Sequence, residues 1–134
     1  MSGRSALAAL AGAAAIGALA VGSRAATGPA VPPPPPLPPP SDFVSQVDNR
    51  YFPLEPGTTF LYRGKVDGKD AEDTVLVTGD KKTILGVDAT VVSDRVTQGG
   101  KPHEKTFDWY AQDKRGNVWY LGEDAFDWVH GHWV

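Results

Sequence analysis

The stretch TFDWYAQDKRGNVWYLGED (residues 106–124) has the pattern of two β-strands joined by a tight turn. Aromatic and β-branched residues, which favour strands, stand on both sides of the polar segment DKRG. Asp113 and Gly116 take the first and last positions of a type I turn, and Gly116 supplies the left-handed residue of the loop. The stretch therefore predicts an antiparallel hairpin with Asp113 opposite Asn117 and Tyr110 opposite Tyr120.

This register divides the hairpin into two surfaces, because side chains alternate between the faces of a strand. We predict that one surface faces the core, and it carries Phe107, Trp109, Ala111, Trp119 and Leu121. The other surface is amphipathic and carries Asp108, Tyr110, Gln112, Val118 and Tyr120. It is either a second packed surface or a platform for a ligand.

The residues upstream continue the pattern of strand, turn and strand. Alternating apolar residues predict strands at 58–66, 73–79 and 83–97, with turns at 67–69, 80–82 and 98–102 and one short helical turn within 41–50. No longer helix is predicted. The fold class is therefore all-β: an antiparallel meander of about five strands, forming an open curved sheet or a partial barrel.

The first 41 residues differ in character from the rest. Residues 1–25 combine Arg4, an apolar alanine-rich run and the small residues Ser23 and Ala25, which is typical of a signal peptide. An uncleaved N-terminal anchor is the alternative. Residues 26–41 form a proline-rich linker, which favours an extended spacer, and residues 42–134 form the β-domain. The predicted location is extracytoplasmic, either secreted or in the cell envelope.

Composition excludes several classes of function. The net charge is −3 and the basic residues are not clustered, which argues against a nucleic-acid partner. The chain has no cysteine, so it has no disulfide, thiolate metal site, thiol nucleophile or lipid-modified cysteine. We predict no cofactor, and membrane contact only through a possible N-terminal anchor. The predicted partner is an unidentified ligand or an envelope protein.

Two segments carry a resemblance to known proteins. The residues are Asn49, Tyr51 to Leu54, Pro56 to Thr58, Phe107 to Asp113 and Gly116 to Tyr120. They resemble a family of exported bacterial β-rich proteins of uncharacterised function, over roughly residues 42–124. Similar proteins continue with more strands beyond the equivalent of Asp124, whereas this chain continues as AFDWVHGHWV. The resemblance therefore implies a shortened member, whose open strand edges would favour pairing or aggregation.

Acidic residues near the aromatic strands suggest one catalytic arrangement. In the predicted register Asp108 and Asp124 share a face and lie diagonally across the hairpin. Beside Tyr110 and Tyr120, such a pair of carboxyls is the arrangement that hydrolyses glycosidic bonds. Solvated carboxylates at the strand ends are the structural alternative, and the sequence favours that alternative.

Two further arrangements concern metals. His130 and His132 would share a face if the tail were a strand, as zinc or copper ligands do. No third ligand accompanies them, so an incidental role is favoured. Asp113 and Asn117 flank a turn whose oxygen atoms are of the type that binds calcium, but the two basic residues between them favour turn chemistry instead.

The sequence therefore predicts an exported β-domain that acts by binding rather than by catalysis. The predicted ligand-binding residues are Tyr110 and Tyr120, whose rings suit glycans, apolar small molecules or the strand edge of a partner protein. A glycan-directed hydrolase using Asp108 and Asp124 is the first alternative. A truncated domain without independent activity is the second.

Overall fold

A computed structural model describes residues 32–134. Within them, Leu37–Val134 form one compact unit, while Pro32–Pro36 belong to a separate N-terminal unit and have no regular secondary structure. The predicted signal or anchor at 1–25 and the start of the linker lie outside the described residues. A 3₁₀ turn at Pro40–Asp42 precedes the strands β1 (Phe43–Val44), β2 (Thr59–Val66), β3 (Lys69–Ile84), β4 (Val87–Gln98), β5 (Lys101–Asp113), β6 (Val118–Val129) and β7 (His132–Trp133).

The strands form an antiparallel meander, which confirms the predicted fold class. Strands β2 to β7 follow one another across the sheet in chain order, and β1 pairs with the end of β5. The described sheet is open and curved and does not close into a barrel. Short turns join neighbouring strands, and their residues have the left-handed conformation that such turns require, as at Gly99 and Gly100.

The predicted turn at residues 80–82 is wrong. Strand β3 continues through it to Ile84, and the chain reverses at Leu85 and Gly86, whose φ angles are 49° and 82°. The polar residues before this turn form a bulge, where the register with β4 shifts between Val77 and Lys81. The Thr78 hydroxyl donates a hydrogen bond to the Val91 carbonyl there (2.7 Å). The polar run therefore bends the strand without ending it.

Residues 45–58 form a strap that covers one half of one face of the sheet. The predicted helical turn within 41–50 is wrong apart from the 3₁₀ turn at its start. Backbone hydrogen bonds hold the strap together, for example from Leu54 to the Val47 carbonyl (2.8 Å) and from Gly57 to the Val77 carbonyl (2.8 Å). Val47 and Leu54 of the strap pack on Val75, Val77 and Val92 of the sheet and form the hydrophobic core.

The strap reverses the predicted assignment of the two faces. The main core lies on the face that carries Tyr110 and Val118, which the sequence suggested as an amphipathic surface. We call this the tyrosine face; besides those two residues it carries Tyr62, Asp108 and Tyr120. The opposite, tryptophan face carries Trp109, Ala111 and Trp119. Trp109 and Ala111 are buried there too, so both faces of this hairpin are packed.

Candidate functional site

Beyond the strap, the tyrosine face changes from apolar to acidic. The acidic side chains of this half come from four neighbouring strands, and we call them the acidic patch: Asp73, Asp94, Glu104, Asp108, Glu123 and Asp127. Strand pairing places them on the same face as Tyr62 and Tyr120. Neighbouring strands lie about 4.8 Å apart, so the patch brings carboxyl groups into direct contact.

A bulge in β6 decides which acidic residue stands beside Asp108. Tyr110 pairs with Tyr120 as predicted, but Asp108 pairs with Glu123 and Phe107 pairs with Asp124. Two residues of β6, Leu121 and Gly122, therefore lie opposite Trp109 alone. One extra residue moves every following side chain to the other face. The predicted pairing of Asp108 with Asp124 is consequently wrong, and Glu123 takes the place of Asp124.

Replacing Gly122 with alanine should destabilise the domain by roughly 1–3 kcal/mol, because a residue with a side chain is strained at its φ of 122°. A Cβ atom at this position would also lie 3.4 Å from the Trp109 ring. Denaturant unfolding followed by tryptophan fluorescence measures the change. Gly79, where a Cβ atom would meet nothing within 4 Å and φ is not left-handed, is the matched control. Equal losses for both alanine variants would contradict this account of the bulge.

The Tyr120 hydroxyl joins the two carboxyls that the bulge brings together. It lies 3.1 Å from Asp108 Oδ1 and 2.8 Å from Glu123 Oε2. The other oxygen of Asp108 accepts a hydrogen bond from the Thr106 hydroxyl (2.8 Å). The phenol has one hydrogen, so Tyr120 can donate to only one of the two carboxyls at a time. Burial is the main cause that raises the pKa of Asp108, and Glu123 raises it further.

A second carboxyl pair lies on the neighbouring strands. Burial, together with a hydrogen bond to Asp73 and the charge of Asp73, raises the pKa of Asp94 to about 8. Asp73 Oδ1 is inaccessible to solvent and has no hydrogen-bond partner among the described residues. Burial, and then the charge of Asp127, raises the pKa of Glu104. Asp94 therefore holds a proton at neutral pH that an isolated carboxyl would release.

No basic side chain forms an ion pair with this patch within residues 32–134. The ion pairs found there are Arg63–Glu72, Lys65–Asp70 and Lys82–Asp124, and none includes a patch residue. Lys81 does lie on the tyrosine face, but its ammonium donates to the Ser45 carbonyl (2.7 Å) and to the Thr90 hydroxyl (2.9 Å) beneath the strap. Burial lowers the pKa of Lys81. The ammonium of Lys81 is thus used by the strap and not by the patch.

The two predicted ligand-binding tyrosines occupy different environments. Tyr110 is half-buried and packs against the core, with its ring 5.2 Å from that of Phe52. The Tyr120 ring packs against Tyr110 at a tilt of 49°, also with 5.2 Å between ring centres, and Tyr120 is 41% exposed. Burial raises the pKa of both tyrosines, and the nearby Asp108 adds to the effect. Tyr120 can therefore touch a ligand, whereas Tyr110 supports it from below.

The predicted histidine pair does not form. His130 lies in the turn between β6 and β7 with a φ of 49°, while His132 pairs with Val129 in β7. Among the described residues, no group of three His, Cys, Asp or Glu side chains is placed to hold a metal ion. Trp128 and Trp133 cross the same hairpin with their rings 4.9 Å apart. Residues 32–134 include no helix with the length and apolar character needed to cross a membrane.

Most of the patch leaves no local signal in the sequence. Asp73 and Asp94 stand in different predicted strands, and only the long-range register places them near Asp108. The simple hairpin register sends Glu123 to the face opposite Asp108. The one local signal was Gly122, since an isolated glycine within a strand pattern favours a bulge.

Comparisons with protein-family models, with curated proteins and with solved structures gave no match. The resemblance to exported bacterial β-rich proteins therefore stays a prediction.

Proposed function

We propose that this domain is a non-catalytic binding module of the cell envelope or the secreted fraction, and that its acidic patch binds a ligand bearing a positively charged amino or guanidino group. The observation that carries this proposal is the exposed Tyr120 ring beside carboxyl groups with which no basic side chain of the described chain forms an ion pair. The extracytoplasmic location rests on the signal-like residues 1–25 and the proline-rich linker.

An organic cation matches both chemical features of this surface. An ammonium or guanidinium group donates several hydrogen bonds, which exposed carboxyl groups of the patch such as Asp127 would accept. The face of an aromatic ring such as Tyr120 also attracts a cation, by about 0.5–2 kcal/mol. A neutral sugar would use the ring but would leave the carboxyl groups uncompensated.

The arrangement at Asp108 favours binding over hydrolysis. A glycosidase needs a carboxyl acid that reaches the bond to be broken. Asp108 is only 3% exposed, and both of its oxygens are engaged, by Thr106 and by Tyr120. With Asp124 on the other face, the pair that suggested a hydrolase is not assembled.

Titration calorimetry of residues 32–134 with spermidine, arginine amide and cellobiose at pH 7.5 tests the proposal. We expect the two cations to bind and cellobiose to give no heat of binding. Glu123→Gln should weaken cation binding by about five- to tenfold, because it removes one partly buried charge partner. Tyr120→Ala should weaken it by a similar factor through loss of the ring.

Glu72→Gln is the matched control, because it removes the same charge from the opposite face, where Glu72 pairs with Arg63. It should leave the affinity within twofold of the original. If cellobiose bound and the two cations did not, the ligand class would be a glycan and not an organic cation. Equal weakening by Glu72→Gln and Glu123→Gln would mean that only the net charge matters, and the proposed site would be wrong.

A further inference from the structure

On the tyrosine face, the C-terminal half of β6 meets β5 at two pairs of acidic side chains. Asp108 stands directly opposite Glu123, and Glu104 stands directly opposite Asp127, with only Thr106 and Ala125 between them. Like charges directly opposite each other weaken an antiparallel pair. From Glu123 onward, β6 has only β5 on one side and the short β7 on the other.

From this arrangement we infer that residues 123–134 form a pH-operated flap. The flap is closed on β5 while protons are shared within the two acidic pairs, and it opens when those protons leave at alkaline pH. Opening exposes the edge of β5 at residues 101–108 and separates Glu123 from Asp108. The flap moves as a unit, because β6 and β7 form a hairpin with Trp128 against Trp133 and backbone hydrogen bonds between Asp127 and Val134 (3.0 Å).

The need for shared protons follows from the contacts. The Tyr120 oxygen lies within hydrogen-bond distance of both Asp108 and Glu123 but carries a single hydrogen. Two further acidic residues lie nearby. Asp94 of β4 interacts electrostatically with both Asp108 and Glu104, and Asp73 of β3 interacts with Asp94. All of these groups lose favourable contacts once they are ionised together.

Basic groups near the flap are few on this side. His103, which precedes Glu104 on β5, opposes the rise in the pKa of Glu104. On the tryptophan face, Lys82 pairs with Asp124 (3.2 Å), and the Lys105 ammonium lies 4.8 Å from the centre of the Phe126 ring and 4.9 Å from that of Trp133. His132 lies in β7 itself. These tryptophan-face contacts favour the closed flap and do not involve the two acidic pairs.

The direction of the pH effect follows from the raised pKa values of Asp94, Asp108 and Glu104. A carboxyl whose pKa is higher in the closed state stabilises that state fully below its ordinary pKa, near 4. This stabilisation is lost as the pH rises through the closed-state pKa, which is about 8 for Asp94. Ionised Asp94 adds a negative charge that acts on Asp108 and Glu104, so the flap should be less firmly closed at pH 8.5 than at pH 6.

Backbone hydrogen exchange tests the flap on residues 32–134 at pH 6.0 and pH 8.5, with rates corrected for the intrinsic effect of pH. We expect the protection of residues 123–134 to fall at least tenfold at the higher pH, since one unit of pKa difference corresponds to a factor of ten. Protection of Val75 and Val77 in the core should stay constant. Unchanged protection of residues 123–134, or an equal fall throughout the sheet, would overturn the inference.

The variant Glu123→Gln/Asp127→Asn removes both acidic pairs and should keep the flap protected at pH 8.5. Asp127→Asn alone should give an intermediate fall in the protection of residues 123–134. Because Asp127 is exposed, this single variant can replace the double variant if the double variant does not fold. The control Glu72→Gln/Asp70→Asn changes the same residue types in surface ion pairs on β3 and should behave as the original chain. If the protection of residues 123–134 fell as far in Glu123→Gln/Asp127→Asn or in Asp127→Asn as in the original chain, the pH effect would come from other residues. That result would contradict the inference.

Discussion

Replacing Leu54 with alanine is expected to lower the free energy of unfolding by about 2–5 kcal/mol. Leu54 is 5% exposed and anchors the strap on the core residues Val75, Val77 and Val92. Shortening it leaves a cavity between strap and sheet, and the transfer free energy of the removed atoms is lost as well. Domains of this size have only about 5–15 kcal/mol of stability, so the loss would be a large fraction of the total.

Leu85→Ala is the matched control, because Leu85 is 80% exposed at the turn between β3 and β4. It should change stability by less than about 0.5 kcal/mol. Denaturant unfolding at several protein concentrations measures both variants and also tests whether the chain folds as a complete domain by itself. A transition that shifts with concentration would instead favour the truncated-domain hypothesis. Similar losses for Leu54→Ala and Leu85→Ala would show that the strap does not contribute to the core.

The second large effect is expected at Asp113, which is 4% exposed at the start of the central turn. Its carboxylate accepts hydrogen bonds from the backbone amides of Arg115 (2.9 Å) and Asn117 (3.0 Å), from the Asn117 side chain (2.9 Å) and from the Trp119 indole (3.0 Å). Replacing Asp113 with alanine removes all of these acceptors together. We expect Tm to fall by roughly 10 °C or more at pH 7, measured by circular dichroism.

This effect should depend on pH in a defined direction. The hydrogen bond from Trp119 is the largest cause that lowers the pKa of Asp113 to about 2, followed by that from Asn117. A lowered pKa contributes stability above the ordinary value near 4, and the contribution is lost as the pH falls through about 2. The difference in Tm between the original chain and Asp113→Ala should therefore shrink between pH 4 and pH 2.

Asp124→Ala is the control for this substitution, because Asp124 is exposed and makes one surface ion pair, with Lys82. Such pairs contribute about 0–1 kcal/mol, so its Tm should change by a few degrees at most. If Asp113→Ala lowered Tm as little as Asp124→Ala, the Asp113 carboxylate would not be the group that stabilises the turn.

The central hairpin was predictable because its signals are local. Asp113 and Gly116 determine a turn by their own backbone and side-chain chemistry, and the register from Gln112–Val118 to Tyr110–Tyr120 follows from that turn. Prediction failed one residue pair further out, at Gly122, where the simple alternation gives no sign of the extra residue. The error at residues 80–82 has the same cause. A polar run in the sequence is compatible both with a turn that reverses the chain and with a bulge within a continuing strand.

The candidate site was less predictable than the fold. Tyr120 was identified from its face of the hairpin, but Asp124 was chosen in place of Glu123 because the bulge was not foreseen. Asp73 and Asp94 gave no sequence signal, since their proximity to Asp108 depends on the pairing of β3 with β4 and of β4 with β5. Long-range pairing of this kind leaves no periodic mark on the chain.

By itself, the sequence determined that this is an all-β antiparallel meander with a turn at Asp113–Gly116, because strand periodicity and turn chemistry act between near neighbours. The tertiary structure decided which face forms the core, because only the path of residues 45–58 over Tyr110 and Val118 selects one face of the sheet. It also decided that carboxyl groups from four strands meet. The bulge at Gly122 places Glu123 opposite Asp108, with the Tyr120 hydroxyl within hydrogen-bond distance of both carboxyls. The pairing of β3 with β4 and of β4 with β5 adds Asp73 and Asp94.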